Sequence, residues 1–163
     1  MTTMTEHHIT TDDGAEAIWF LGTLAKIKAE SKRTGRAFSL VEFTHPPGFQ
    51  TPPHVHADSD EAFYVLSGEM HGFCGDTEWH AGPGDVVWLP RGVPHGYGTA
   101  GEQELRSLAI NLPGGFDELV VGAGVPAAAR ELPPPMEIDP GRVDAEAAHL
   151  GITHLGPPPP LPS

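Results

Sequence analysis

The sequence predicts an all-β domain, a sandwich, jelly roll or small barrel, followed by short helices. Three observations carry this. The apolar stretches are short, rich in aromatic and β-branched residues, and several alternate with period two. Between them lie TGR, PPG, DSD, SGE, CGD, AGPGD, PRGVP and TAGE, all turn chemistry, in a 163-residue chain with 20 Gly and 18 Pro. After Pro113 the texture changes to helix-forming segments punctuated by proline.

Taken in order, residues 1–14 (MTTMTEHHITTDDG) are polar and read as a flexible tail, with His7 and His8 solvated. The strands read as IWFLG (18–22), TLAKIKA (23–29), AFSLVEFT (37–44), EAFYVLSGEM (61–70), DVVWLP (85–90) and ELRSLAINL (104–112), within a barrel over 15–112. A helical cap spans 113–155. GFDELVVGAG (115–124) and PAAAREL (126–132) read as short helices, with Pro126 suited to a first helical position. DPGRVDAEAAHLG (139–151) reads as a helix starting near Asp139 or Pro140 and stopped by Gly151. The closing GPPPPLPS (156–163) is an extended Pro-rich tail.

Charge narrows the partners. With 22 acidic against 9 basic residues the formal net charge is −13, which repels phosphate backbones and anionic headgroups. Nucleic-acid and membrane-surface roles are therefore not expected. One cysteine, Cys74, excludes an intrachain disulfide and reads as a small buried or half-buried hydrophobe. The first residues have neither a basic nor an apolar signal region, so a soluble, cytoplasmic protein is expected.

The chemistry lies in residues 48–99. Five residues separate Gly48 from His54-x-His56, four separate His56 from Glu61, and six lead on to Gly68. After fifteen residues come Gly84, five residues, Pro90-x-Gly92, two residues and His95. Histidines at i and i+2 on a strand project from one face, so His54 and His56 can converge. Glu61 sits at an odd offset and would face away on an unbroken strand. The turn-forming residues 57–60 let it open a new strand and face inward. His95 follows a Pro-Gly-Pro turn and can approach from another strand.

Three neutral imidazoles and one carboxylate suit a divalent first-row metal, and an octahedral ion would keep two positions free. A closed zinc site would favour cysteine, and none lies in this cluster. His45, His71, His80, His149 and His154 read as hydrogen-bonded core or surface residues. Trp19, Phe20, Trp79 and Trp88 read as core or interface.

These stretches resemble the two motifs of the cupin superfamily, G(X)5HXH(X)3–4E(X)6G and G(X)5PXG(X)2H(X)3N. Every fixed position matches except the last, where Thr99 stands in place of an asparagine that is not a metal ligand. The chain is also similar to bacterial quercetin 2,3-dioxygenase-like monocupins. That similarity runs through WFLG, SLVEFTHPPGF, HVHADSDEAFYVLSGE, GPGDVVWLPRGVPHGY, LPGGFDELVVGAG and GITHLGPPP, across nearly residues 19–160.

The resemblance implies an all-β single cupin domain, a small jelly-roll β-barrel with short C-terminal helices. It implies His54, His56, Glu61 and His95 as ligands of one divalent transition metal, with Fe, Ni, Mn, Co, Cu and Zn all compatible. In such dioxygenases the metal binds a flavonol enolate, O2 adds across the ring, and carbon monoxide leaves. Glu61, the one carboxylate of the set, is then the candidate catalytic base.

Parity with Glu61 aims Phe63 and Val65 into the barrel, and Phe116 is placed to close its mouth. These three are the candidate substrate contacts, suited to a planar aromatic or polyketide-like molecule, with barrel filling the alternative for Phe63 and Val65. A non-redox isomerase or cyclase using the same four ligands is the alternative, followed by a non-enzymatic small-molecule binder. A homodimer is expected, through an apolar patch including Tyr64, Leu66 and the WFLG strand.

Overall fold

The computed structural model describes residues 7–158; much of the two expected tails lies outside the described residues. In chain order the elements are β1 (Glu16–Phe20), β2 (Thr23–Ala29), β3 (Ser39–His45), β4 (His54–His56), β5 (Asp60–Ser67), β6 (Glu69–Cys74), β7 (Thr77–Ala81), β8 (Val86–Leu89), β9 (His95–Ala100), β10 (Leu105–Leu112), α1 (Phe116–Ala123), β11 (Val125–Pro126), α2 (Pro140–Ala148) and β12 (Ile152–His154). They form a seven-stranded sheet, β11-β1-β2-β3-β10-β5-β8, and a five-stranded sheet, β12-β4-β9-β6-β7. The chain passes repeatedly between the two sheets, which gives the small jelly-roll barrel expected from the sequence.

Alternation along each strand sends one set of side chains inward. Phe43, Phe63, Val65, Met70 and Leu105 meet there in one hydrophobic core. Tyr64, Val86 and Trp88 alternate outward and are exposed. At one end α1 turns Leu119 and Val120 into the core. It is tied there by Asp117, whose buried carboxylate accepts from the Ser31 amide at 3.0 Å and the Ser31 hydroxyl at 3.2 Å. Cys74 is half-buried, and burial pushes its thiol up from the ordinary range.

Three segments differ from the sequence reading. Periodicity predicts a helix over 126–132, but residues 127–132 carry none. Pro126 instead pairs with Ile18, and the Ala127 amide donates to the Ala17 carbonyl, satisfying the open edge of β1. The edge's unpaired backbone groups outweigh the helix propensity of Ala127–Ala129. The 113–155 cap is not wholly helical, since β12 returns to pair with β4 in the barrel. Strands β7 and β9 escape the pattern because TEWHA is largely polar and HGYGTA is broken by glycines.

Gly68 shows why one motif position must be glycine. It links β5 to β6 at φ 76°, and a Cβ there would run into the Glu104 carbonyl oxygen. Gly68→Ala should destabilise the fold by roughly 2 kcal/mol. Urea unfolding checks this, and an unchanged midpoint would contradict it.

Candidate metal centre

Short-range backbone geometry positions each histidine. His54 and His56 flank Val55 on the three-residue strand β4, both facing inward, with 8% and 1% exposure. His95 opens β9 directly opposite His54 in the register. The Nδ1–H of His54 donates to the Pro52 carbonyl at 2.8 Å, and that of His95 to the Val93 carbonyl at 3.2 Å. His56 Nδ1 lies 3.3 Å from the Ser59 hydroxyl. A carbonyl can only accept, so Nδ1 carries the hydrogen and the Nε2 lone pair is left free to bind a metal.

The other nitrogens converge. One ligand atom from each of His54, His56 and His95 lies within 4.8 Å of the others, and the three can hold a metal ion. His56 Nε2 and His95 Nε2 are buried without any hydrogen-bond partner. Orphaned buried acceptors are rare unless something coordinates them. The residues present therefore fit a divalent metal.

Burial also holds the His54 and His56 rings neutral, which is the ligating form. Burial, reinforced by His95, takes His54 down to about 4 and His56 to about 3. Burial takes His45 to about 3 as well.

Glu61 comes from the opposite sheet. The turn over residues 57–60 reverses its facing, and β5 presents it inward at 3% exposure. Its carboxylate oxygens lie 3.8 Å from His56 Nε2 and 4.0 Å from His95 Nε2. Asn111, its register partner on β10, donates from Nδ2 to Glu61 Oε2 at 2.8 Å. Sequence reasoning missed Asn111, because only the β5–β10 register brings it to the site.

The cavity above these groups is small, about 50 Å³, and is walled by Phe20, Phe43, Phe49 and Phe116 with His54, His56 and Glu61 at its polar side. Phe116 thus reaches the cavity. Phe63 and Val65 point inward, but they are not part of its wall. They belong to the core beneath it, where Phe63 packs on Tyr97 with ring centres 4.7 Å apart. Parity gives a side chain's face and not its depth, and of the two placements it leaves open for Phe63 and Val65, both side chains lie among the core residues. His45, also read as a hydrogen-bonded core residue, lines the cavity and meets the Tyr97 hydroxyl at 3.1 Å.

Two outcomes follow from this geometry. Asn111→Ala frees the Glu61 carboxylate and should weaken metal affinity about 10- to 100-fold, measured by competition with a chelating dye. For the metal-free protein, the unfolded chain protonates its histidines near 6.5, whereas the folded one keeps His45, His54 and His56 neutral down to about 3–4. The unfolded state therefore binds more protons in that window, and stability present above it is lost as pH falls. Urea midpoints should drop steadily from pH 6.5 to 4, less steeply in His45→Gln, and a flat profile would contradict this.

Comparison with known proteins points the same way. The Cupin domain family model matches residues 41–111. Quercetin 2,3-dioxygenase of Bacillus subtilis is 28% identical over 111 residues, covering 68% of this chain and 33% of that protein. The chain spans between 33% and 60% of the length of the curated relatives it matches. Among solved structures, the polyketide cyclase RemF from Streptomyces resistomycificus is 28% identical at a TM-score of 0.53, over 68% of this chain and 80% of that one. KdgF from Halomonas reaches a TM-score of 0.60 at 20% identity, over 69% of this chain and 99% of that one, which shows the shared fold. The family match covers the same strands that carry the three histidines, so residues 41–111 form a cupin domain, and the chain resembles quercetinase-like proteins.

Proposed function

We propose that this protein is a metal-dependent dioxygenase that opens a flavonol-like or other enolisable aromatic substrate with O2. The observation that carries this reading is one buried carboxylate, Glu61, beside three convergent buried imidazoles under an aromatic-walled cavity. His54, His56, His95 and Glu61 would hold a divalent transition metal, which supplies a Lewis acid for an enolate oxygen and, if redox-active, a partner for O2.

The protein groups do the rest. Asn111 occupies Glu61 Oε2, leaving Oε1 as the oxygen free to take the proton of an acidic substrate hydroxyl. Phe43, Phe49 and Phe116 offer flat apolar faces to an aromatic ring and exclude water. In the net reaction both atoms of O2 enter the ring-opened ester, and the excised ring carbon leaves as carbon monoxide.

A second reading is a non-redox isomerase or cyclase using the same four residues. It is supported by the 28% identity to a polyketide cyclase. The proposal also carries a cytoplasmic location and a homodimer; of the patch expected for it, Tyr64, Leu66 and the WFLG strand, Tyr64 is exposed beside Val86 and Trp88 while Phe20 is buried.

Elemental analysis followed by oxygen uptake with quercetin tests the reading. One O2 consumed and one carbon monoxide released per flavonol is the expected result. Turnover without oxygen uptake would favour the cyclase or isomerase, and no turnover of any substrate would leave a binding protein. Glu61→Gln should lower turnover about 100-fold or more. Unchanged turnover and metal content in that variant would remove Glu61 from the site.

A further inference from the structure

A fourth histidine stands at the mouth of the metal cavity. The β12–β4 register sets His154 opposite His54, and directly opposed residues on paired strands project from one face. Their ring centres lie 5.9 Å apart. From α2, Asp144 accepts from His154 Nδ1 at 2.7 Å, so the ring is held by two elements at once. A carboxylate can only accept, so Nδ1 carries the hydrogen, and in the tautomer this selects Nε2 is the acceptor. Among the described residues Nε2 has no hydrogen-bond partner.

His154 also lies where two spaces meet. It lines both the metal cavity and an adjoining groove of about 420 Å³, and Leu21, Phe49, Pro52 and Val143 are likewise common to both. The inner cavity, at about 50 Å³, is too small for a multi-ring molecule, whereas the groove has the size of ordinary small-molecule sites. A planar ligand that reaches the metal histidines from this groove passes His154 and leaves its body in the groove.

We propose that His154, oriented by Asp144, is a specificity-determining residue: its Nε2 accepts a hydrogen bond from a phenolic hydroxyl of a ligand whose metal-binding edge enters the cavity. The inference rests on the aromatic-substrate reading above and applies to an oxygenase or a cyclase alike. A ligand lacking that hydroxyl leaves the acceptor facing an apolar body unpaired, which is how a polar group in a binding site discriminates.

Anaerobic titrations of the metal-loaded protein with quercetin and with its unadorned parent 3-hydroxyflavone, read by tryptophan fluorescence, test this. The wild-type protein should bind quercetin about five- to tenfold more tightly. His154→Phe should narrow that gap by about fivefold with metal content unchanged, and His154→Gln, which keeps an acceptor, should restore part of it. Asp144→Ala, which removes the group orienting the ring, should narrow it too. Equal affinities in the wild type, or an unchanged gap in His154→Phe, would overturn the proposal while leaving the proposed reaction standing. Failure of the wild type to bind either compound would overturn both.

Discussion

The pairing of β4, a strand of only three residues, with β9 on one side and β12 on the other is the constraint on which the site depends. So short a strand has little backbone pairing of its own, and its neighbours fix its orientation. Because His54 faces His95 across one ladder and His154 across the other, the histidine rings share one face. The same local device recurs in two of them: the carbonyl two residues back, Pro52 for His54 and Val93 for His95, takes the Nδ1 hydrogen. Each lies in a proline-containing turn, so stiff backbone sets the tautomer of a buried ring.

The second sheet supplies the charge. Glu61 brings a single carboxylate to a place where burial keeps His54 and His56 uncharged. One carboxylate offsets only part of a divalent cation's charge. With a divalent metal bound, the centre would be a net positive point within apolar walls, which would favour a bound anion. Asn111 steadies the carboxylate from below, so both sheets must be in register before the ligand set closes.

How much of this was legible in the sequence varies by residue, for physical reasons. The convergence of His54 and His56 follows from the strand period alone, and the turn over residues 57–60 explains how Glu61 regains the inward face. The N-cap of α2 is equally local: Asp139 accepts from the amides of Gly141 and Arg142. Asn111 and His154 carry no local signal, because their roles come from register between strands far apart in the chain. The failed helix over 126–132 has the same origin, an unpaired edge supplied by β1. Parity placed Phe63 and Val65 inside, yet depth below the cavity depends on which aromatic stacks above, here Tyr97.

The ladder between β4 and β12 joins positions a hundred residues apart, His54 with His154. Contacts of such long sequence separation carry the largest loop-closure cost and tend to form late. A chain emerging from the ribosome therefore exposes both histidines of β4 long before the strand that borders them exists. The complete mouth of the site, as opposed to its first histidines, exists only once residues 152–154 have been added. Selection of ligand then begins only after the barrel has closed around it.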